Sequence, residues 1–402
     1  MNADTLPPFS LPLPLSRSRW KRQSVGLFIG LSAAVTIVLL GSILGAYFLL
    51  HLPVPVSSSS RPFSGQAFIT SSAQWDVSST QGDNDKLQIQ LHNMAVPDSN
   101  KTYYAWLLSD DNQKVLPLGP LPLASGNVDF SYQDPQGNNL IATTSRLLIT
   151  EEKRQSTPTQ PSSDRRYHAE LPQQASASGI SQPTALSSIR ALLYREPYLS
   201  QVGIQDDLNI QFLRNIGKLQ EWIFSARDVT EPWGNRDAGF IHRQLVNVLA
   251  YLDGTDGVQI DIPAGTLVPA GAASPIPLVT VPSSQRSISY IGLIHKHLTD
   301  LLAAPGITPR MHRLALESDN ALIGSVQTEL LLVRQLAKAL VSMQPDAQLL
   351  SAPAQTMLSQ MVLLAHLAFV GQLDQSTNLP QPGVAQIFYK IQGLATYDVK
   401  PF

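Results

Sequence analysis

Side chains able to hold a metal or move a proton are few in the C-terminal half of this chain. They are His242, His295, His297, His312, His366 and the run Asp253-Gly254-Thr255-Asp256-Gly257 followed by Asp261. Neutral imidazole is a metal ligand, and two on one helix reach the same ion when they stand at i, i+4. His295 and His297 are only two apart and face different ways, and His366 has no second histidine within a turn. A His/carboxylate site would have to be assembled across helices, with His242, His295 and His366 as its candidate ligands. The acidic run suggests calcium, yet it lacks the D-x-D-x-D-G spacing and closing Glu of a calcium loop. It reads instead as a turn that ends a helix.

Much other chemistry is excluded. The 402 residues contain no Cys, which removes disulfides, Cys-ligated zinc, iron–sulfur clusters and thiol nucleophiles. No G-x-S-x-G, H-E-x-x-H, Walker or dinucleotide motif occurs, so the chain is expected to be no enzyme and to need no cofactor. With 28 Lys and Arg against 30 Asp and Glu the net charge is −2, without the basic excess that nucleic-acid binding requires.

The elements that must carry these groups are helical from residue 184 onward. Leu208, Ile210, Phe212, Leu213, Ile216, Leu219, Trp222 and Ile223 recur at three and four after the caps Asp206 and Asp207. Phe240 to Leu252, Ser284 to Ala304, Asn320 to Met343, Thr356 to Phe369 and Val384 to Leu394 predict further helices, and Leu330 to Val333 marks the Asn320 helix as central. Val258 to Pro282, with Pro263, Pro269, Pro275, Pro277 and Pro282, predicts an extended excursion.

Upstream the period changes to two. Lys86 to Leu91 puts Leu87, Ile89 and Leu91 on one face. Gly65 to Thr70, Thr102 to Leu108, Asn127 to Tyr132 and Arg146 to Thr150 are similar, parted by turn signals such as Gln81-Gly82-Asp83-Asn84. Short strands at this spacing predict an antiparallel β-sandwich with Phe68, Trp75, Tyr104, Trp106 and Phe130 in its interior.

Before the strands stands an uncharged run, Val25 to Leu50, long enough at ~1.5 Å per residue to cross a ~30 Å hydrocarbon core. Arg17, Arg19, Lys21 and Arg22 precede it, which predicts a single pass through the cell membrane with the N-terminus cytoplasmic and the bulk extracytoplasmic. Gly26, Gly30, Ala34, Gly41 and Gly45 give small-xxx-small spacings suited to helix packing and a homodimer within the bilayer.

The order Leu87 to Leu91, Lys101-Thr102-Tyr103-Tyr104-Ala105-Trp106-Leu107-Leu108, Leu116-Pro117-Leu118-Gly119-Pro120-Leu121, then Leu147 to Glu152 running into Ser156-Thr157-Pro158-Thr159 resembles the extracytoplasmic domain of the anti-sigma-K factor (RskA) family. The resemblance covers about residues 60 to 160. It implies a non-enzymatic envelope module coupled to control of a sigma factor. Residues 1–24 are too few for that family's sigma-binding domain, so either a separate regulatory protein partner supplies the output or the β-domain is reused for another role.

The expected fold class is a multidomain membrane-anchored chain: a cytoplasmic tail (1–24), one N-terminal transmembrane helix (25–50), a linker (51–62), an antiparallel β-sandwich (63–155), a second linker (156–183) and an all-α helical bundle (184–402). The expected function is non-catalytic envelope sensing and regulation, with the lipid bilayer and a regulatory protein as partners. The alternative is an envelope ligand- or metal-binding protein that works through the helical bundle.

Overall fold

The computed structural model describes residues 62–72, 82–174, 183–231, 234–269, 274–280, 288–373 and 377–402. Eight strands come first: β1 (Ser64–Thr70), β2 (Lys86–His92), β3 (Lys101–Leu108), β4 (Val115–Pro120), β5 (Leu123–Ala124), β6 (Asn127–Gln133), β7 (Arg146–Lys153) and β8 (Arg165–Glu170). The expected alternation holds in β2, whose Leu87, Ile89 and Leu91 are fully buried opposite Ile69, Ala67 and Gly65 of β1. Each such aliphatic side chain contributes about 1.5–3 kcal/mol by leaving water.

In β3 the inward face is Tyr103, Ala105 and Leu107, because alternation sends Tyr104 and Trp106 the other way. Trp106 is nevertheless covered: its ring lies 4.6 Å from Tyr104 and its Nε1–H donates to Thr150 Oγ1 at 2.9 Å. Tyr104, Phe68 and Phe130 are half-buried rather than interior, and Trp75 lies outside the described residues.

Two five-stranded antiparallel sheets result, and each is completed from the far end of the chain. The sheet orders are β11-β1-β2-β6-β5 and β12-β8-β7-β3-β4, where β11 is Thr396–Asp398 and β12 is Lys400–Pro401. Between them Val399 crosses from one sheet to the other, its N–H donating to the Gly65 carbonyl at 3.0 Å. The two-residue strands β9 (Gln372–Leu373) and β10 (Pro380–Gln381) form a separate hairpin.

Among the described residues, all the α-helices lie between β8 and β11 in the chain. They are α1 (Ala185–Leu193), α2 (Pro197–Gln201), α3 (Leu208–Asp228), α4 (Ala238–Asp261), α5 (Tyr290–Ala303), α6 (Pro309–Ala321), α7 (Gln327–Val341), α8 (Ala352–Val370) and α9 (Val384–Gln392). Side-chain oxygens of Thr184, Glu196, Asp207, Asp237, Ser289, Thr308 and Ser351 cap seven of them, each accepting from a backbone N–H of the first turn.

The expected fold class is corrected by these observations. A sandwich followed by a separate all-α bundle does not describe a chain whose last strands edge both sheets and whose residues Pro62–Phe402 form one compact unit. The stretch read as a second linker carries β8. Among the described residues, the one helix long and apolar enough to cross a membrane is Ala352–Val370, in the C-terminal half, and no N-terminal membrane helix stands among them. That helix buries Ala354, Leu358, Met361, Ala365 and Ala368 on one stripe. The tail, the run 25–50, its Gly26, Gly30, Ala34, Gly41 and Gly45, and the basic Arg17, Arg19, Lys21 and Arg22 lie outside the described residues.

Three helical expectations also change. Gly254 does not end α4; it kinks it at φ 73° and the helix resumes to Asp261, so Val258 to Asp261 is helical rather than extended. A Cβ at Gly254 would come within 2.9 Å of the Pro277 nitrogen, so the Pro-rich excursion packs against this kink. Ile276, Leu278 and Val279 of that excursion are buried. Finally, the Asn320 helix begins earlier, at Pro309, and carries a π-helical turn over Leu322–Val326 before α7. Leu330 and Val333 of α7 are buried, whereas Leu332 is exposed.

Candidate cation site at the junction of sheets and helices

The turn before β2 needs left-handed backbone at Gly82 (φ 90°) and Asn84 (φ 52°), which Gly and Asn supply at low steric cost. That conformation sets Asp83 between them, facing the start of α3. The turn is fixed from both sides. Gly82 N–H donates to the Gly137 carbonyl, and Asn84 Nδ2 and Asn139 Nδ2 both donate to the Leu193 carbonyl at the end of α1, at 2.8 and 2.9 Å.

On the helix side stand Asp206 and Asp207. Asp207 caps α3, its Oδ1 accepting from Ile210 N–H at 2.6 Å. Asp206 is fully engaged: it accepts from Asp207 N–H, Gln211 Nε2 and Arg214 Nη1 at 2.9, 2.7 and 2.6 Å. Asp83 Oδ2 and Asp207 Oδ2 are buried and accept no hydrogen bond; Arg214 approaches Asp83 Oδ2 no closer than 4.0 Å.

One oxygen from each of Asp83, Asp206 and Asp207 lies within 4.8 Å of the others, and the three residues are 7%, 5% and 1% exposed. Three carboxylates facing one guanidinium are two acids in excess, an excess that protons or a bound cation must balance. Burial, then the neighbouring Asp206, push the Asp83 carboxyl up to about 7, against the pull of Arg214. Burial raises Asp207 as well, far above the ordinary carboxylate range, while the Ile210 N–H bond opposes it. Asp85, behind Asp83, is itself satisfied by Ser72 N–H, Ser72 Oγ and Gln133 Nε2.

A cavity of about 330 Å³ opens beside the three carboxylates, walled by the amides of Gln136, Asn138, Asn139 and Gln205. Arg195, exposed at its mouth, lies 5.2 Å from the centre of the Tyr194 ring. An all-oxygen set of carboxylates and amides suits a hard divalent cation such as calcium, and does not suit the imidazole-seeking metals.

The histidines singled out from the sequence are dispersed. His242, His295 and His366 stand on α4, α5 and α8, and none joins the group of close ligands that the described residues contain. His295 Nδ1 pairs with Asp319 at 2.6 Å, His297 Nε2 faces the α2 cap Glu196 at 3.4 Å, and His366 is exposed. Asp253 and Asp261 of the acidic run face α7 instead, where Arg334 bonds both and Lys338 bonds Asp261.

Sequence reasoning placed Asp206 and Asp207 as caps and Asp83 in a turn, and nothing in those local roles joined them. The signal that exists is the pair of adjacent acids at a helix start, where one cap suffices. No family model, curated protein or solved structure matches this chain.

Proposed function

We propose that this protein is a non-catalytic binding protein whose ligand is a hard divalent cation, calcium, held between the Asp83 turn and the start of α3. The observation that carries the reading is the unbalanced charge: three buried carboxylates with their oxygens inside 4.8 Å, and one arginine among them. This keeps the ligand-binding alternative but moves it from imidazoles on helices to oxygen ligands shared by sheet turn and helix. An envelope location, expected from the N-terminal sequence, belongs to the same proposal, since sites of about 10⁻⁴–10⁻³ M affinity fill with calcium outside cells.

Binding would tie the β1–β2 turn to α3 and so set how firmly helices and sheets hold each other. The test is thermal unfolding of the full chain in chelator and in calcium. At a hundredfold excess over its dissociation constant, calcium stabilises the native state by about 2.7 kcal/mol. The Asp83→Asn and Asp207→Asn variants lose that gain. Equal melting in chelator, calcium, magnesium and manganese would overturn the proposal, and so would an undiminished calcium effect in both variants.

A further inference from the structure

A second cavity, of about 1100 Å³, runs along the π turn. Its walls come from α6, the π turn, the start of α7, the end of α8, strands β9 and β10, and α9. A π turn widens the helix by one residue and recurs at binding sites because it spreads backbone and side chains apart. Here Ser325 Oγ and Thr328 Oγ1 donate to the Ala321 and Gly324 carbonyls, and a Cβ at Gly324 would meet nothing within 4 Å.

Within this cleft Glu329 is 6% exposed. Its Oε1 accepts from Gln372 Nε2 at 3.0 Å, and its Oε2 is buried and accepts no hydrogen bond. The other charged groups of the lining, Glu317 on α6 and Lys390 on α9, bond each other. Among the described residues Glu329 is therefore an acid without a basic partner, in a wall otherwise built from Val370, Leu373, Leu379, Pro380 and Pro382 with amide and hydroxyl groups between. An ammonium ion supplies what Oε2 lacks, a charged donor, and an alkyl chain suits the apolar strip.

We infer that the cleft along the π turn is a binding site for an amphiphilic organic cation, its ammonium group paired with Glu329 and its alkyl chain lying along Val370, Leu373 and Leu379. Charge complementarity chooses this occupant: a fatty carboxylate of the same length would meet two acids and one engaged lysine. Burial raises the Glu329 carboxyl to about 7, so an arriving ammonium meets a group already close to ionising.

The experiment is calorimetric titration of the full chain with hexylammonium chloride, with sodium hexanoate and hexanol as comparators. Hexylammonium saturates at one per chain, while hexanoate gives no saturable heat and hexanol binds about tenfold more weakly or worse. Glu329→Gln, nearly the same shape, lowers hexylammonium affinity about tenfold or more, and Gly324→Phe, which fills the cleft without touching Glu329, abolishes it. Absence of saturable hexylammonium binding, equal binding of hexanol, or full affinity in Glu329→Gln with a native melting profile overturns the inference. The calcium effect of the distant carboxylates is unchanged in both variants, so the two readings stand or fall separately.

Discussion

Two buried acidic clusters of the same protein meet their counter-charges in different numbers. Asp253 and Asp261 on α4 face Arg334 and Lys338 on α7, two acids against two bases. Among the described residues, the base that pairs with Asp83 and Asp206, beside Asp207, is Arg214. Hydrogen-bond counting does not separate the clusters, because Asp253 Oδ2, like Asp83 Oδ2 and Asp207 Oδ2, is buried without a donor. Net charge does. A balanced buried network is a structural clamp, costly to break, whereas an unbalanced one needs protons or a cation to complete it.

The largest expected effect breaks the comparison directly. Arg334→Met leaves Asp253 and Asp261 with Lys338 alone and costs about 3–5 kcal/mol of stability, as removal of one partner of a buried pair does. Calcium does not change that cost. Arg214→Met leaves three carboxylates together, and its penalty is large in chelator but shrinks in calcium, because the ion compensates the charge that the arginine balanced. Denaturant melts of both variants in both buffers check the pair. Calcium rescue of Arg334→Met would erase the distinction between the clusters.

Next in size is the removal of one acid. In chelator at pH 7, Asp207→Asn is close to neutral, since burial already keeps this carboxyl protonated and the amide oxygen of Asn can still accept from Ile210 N–H; in calcium it forfeits about 2–3 kcal/mol of ligand stabilisation. Asp253→Asn has the opposite profile. It breaks a pair with Arg334 and destabilises equally in both buffers. Two melting curves per variant decide the matter.

Acidity sharpens the contrast further. The folded Asp83 holds its proton up to about 7, whereas the unfolded residue releases it near 3.8. In chelator this group therefore contributes stability below pH ~4 that is lost as the pH rises to about 7. Glu329, raised to about 7 by burial, adds to the same slope. Calcium must displace the Asp83 and Asp207 protons, so its affinity rises with pH across that window, by about tenfold per unit for each proton displaced. Titrations at pH 5, 6, 7 and 8 measure this, and a flat profile would detach the ion from these carboxylates.

Local period and one local cap were readable in the sequence: the alternation of Lys86 to Leu91, the three-and-four spacing after Asp207, and Asp207 itself as the cap. What joins distant segments was not. Asp83 meets Asp206 only because a turn and a helix start are brought together through Asn84, Asn139 and the Leu193 carbonyl, groups with no pattern of their own. Asp253 is paired with an arginine 81 residues away, so a run that reads locally as a helix-ending turn is a clamp. Strands β11 and β12, three and two residues long, are too short to show a period. In β8 only Tyr167 and Ala169 turn inward among charged neighbours, which is why it passed for linker. The π turn leaves no mark on helical spacing beyond a shift that a long apolar run absorbs.

The smallest effect is expected at Lys338, and it is the most exacting check on the charge count. Its side chain is 49% exposed while that of its partner Asp261 is 2% exposed. Water screens the ammonium, and Arg334 already holds Asp261 and Asp253 from the buried side. Lys338→Met should therefore cost no more than about 1 kcal/mol, the scale of a partly exposed pair, and the loss should fall further in high salt. Urea melts at low and high salt measure it. A loss near that of Arg334→Met would mean that the α4–α7 cluster is balanced only with its outermost base in place. The unbalanced junction at Asp83 would then differ from it by one exposed charge rather than by kind, and calcium would be expected to act at both.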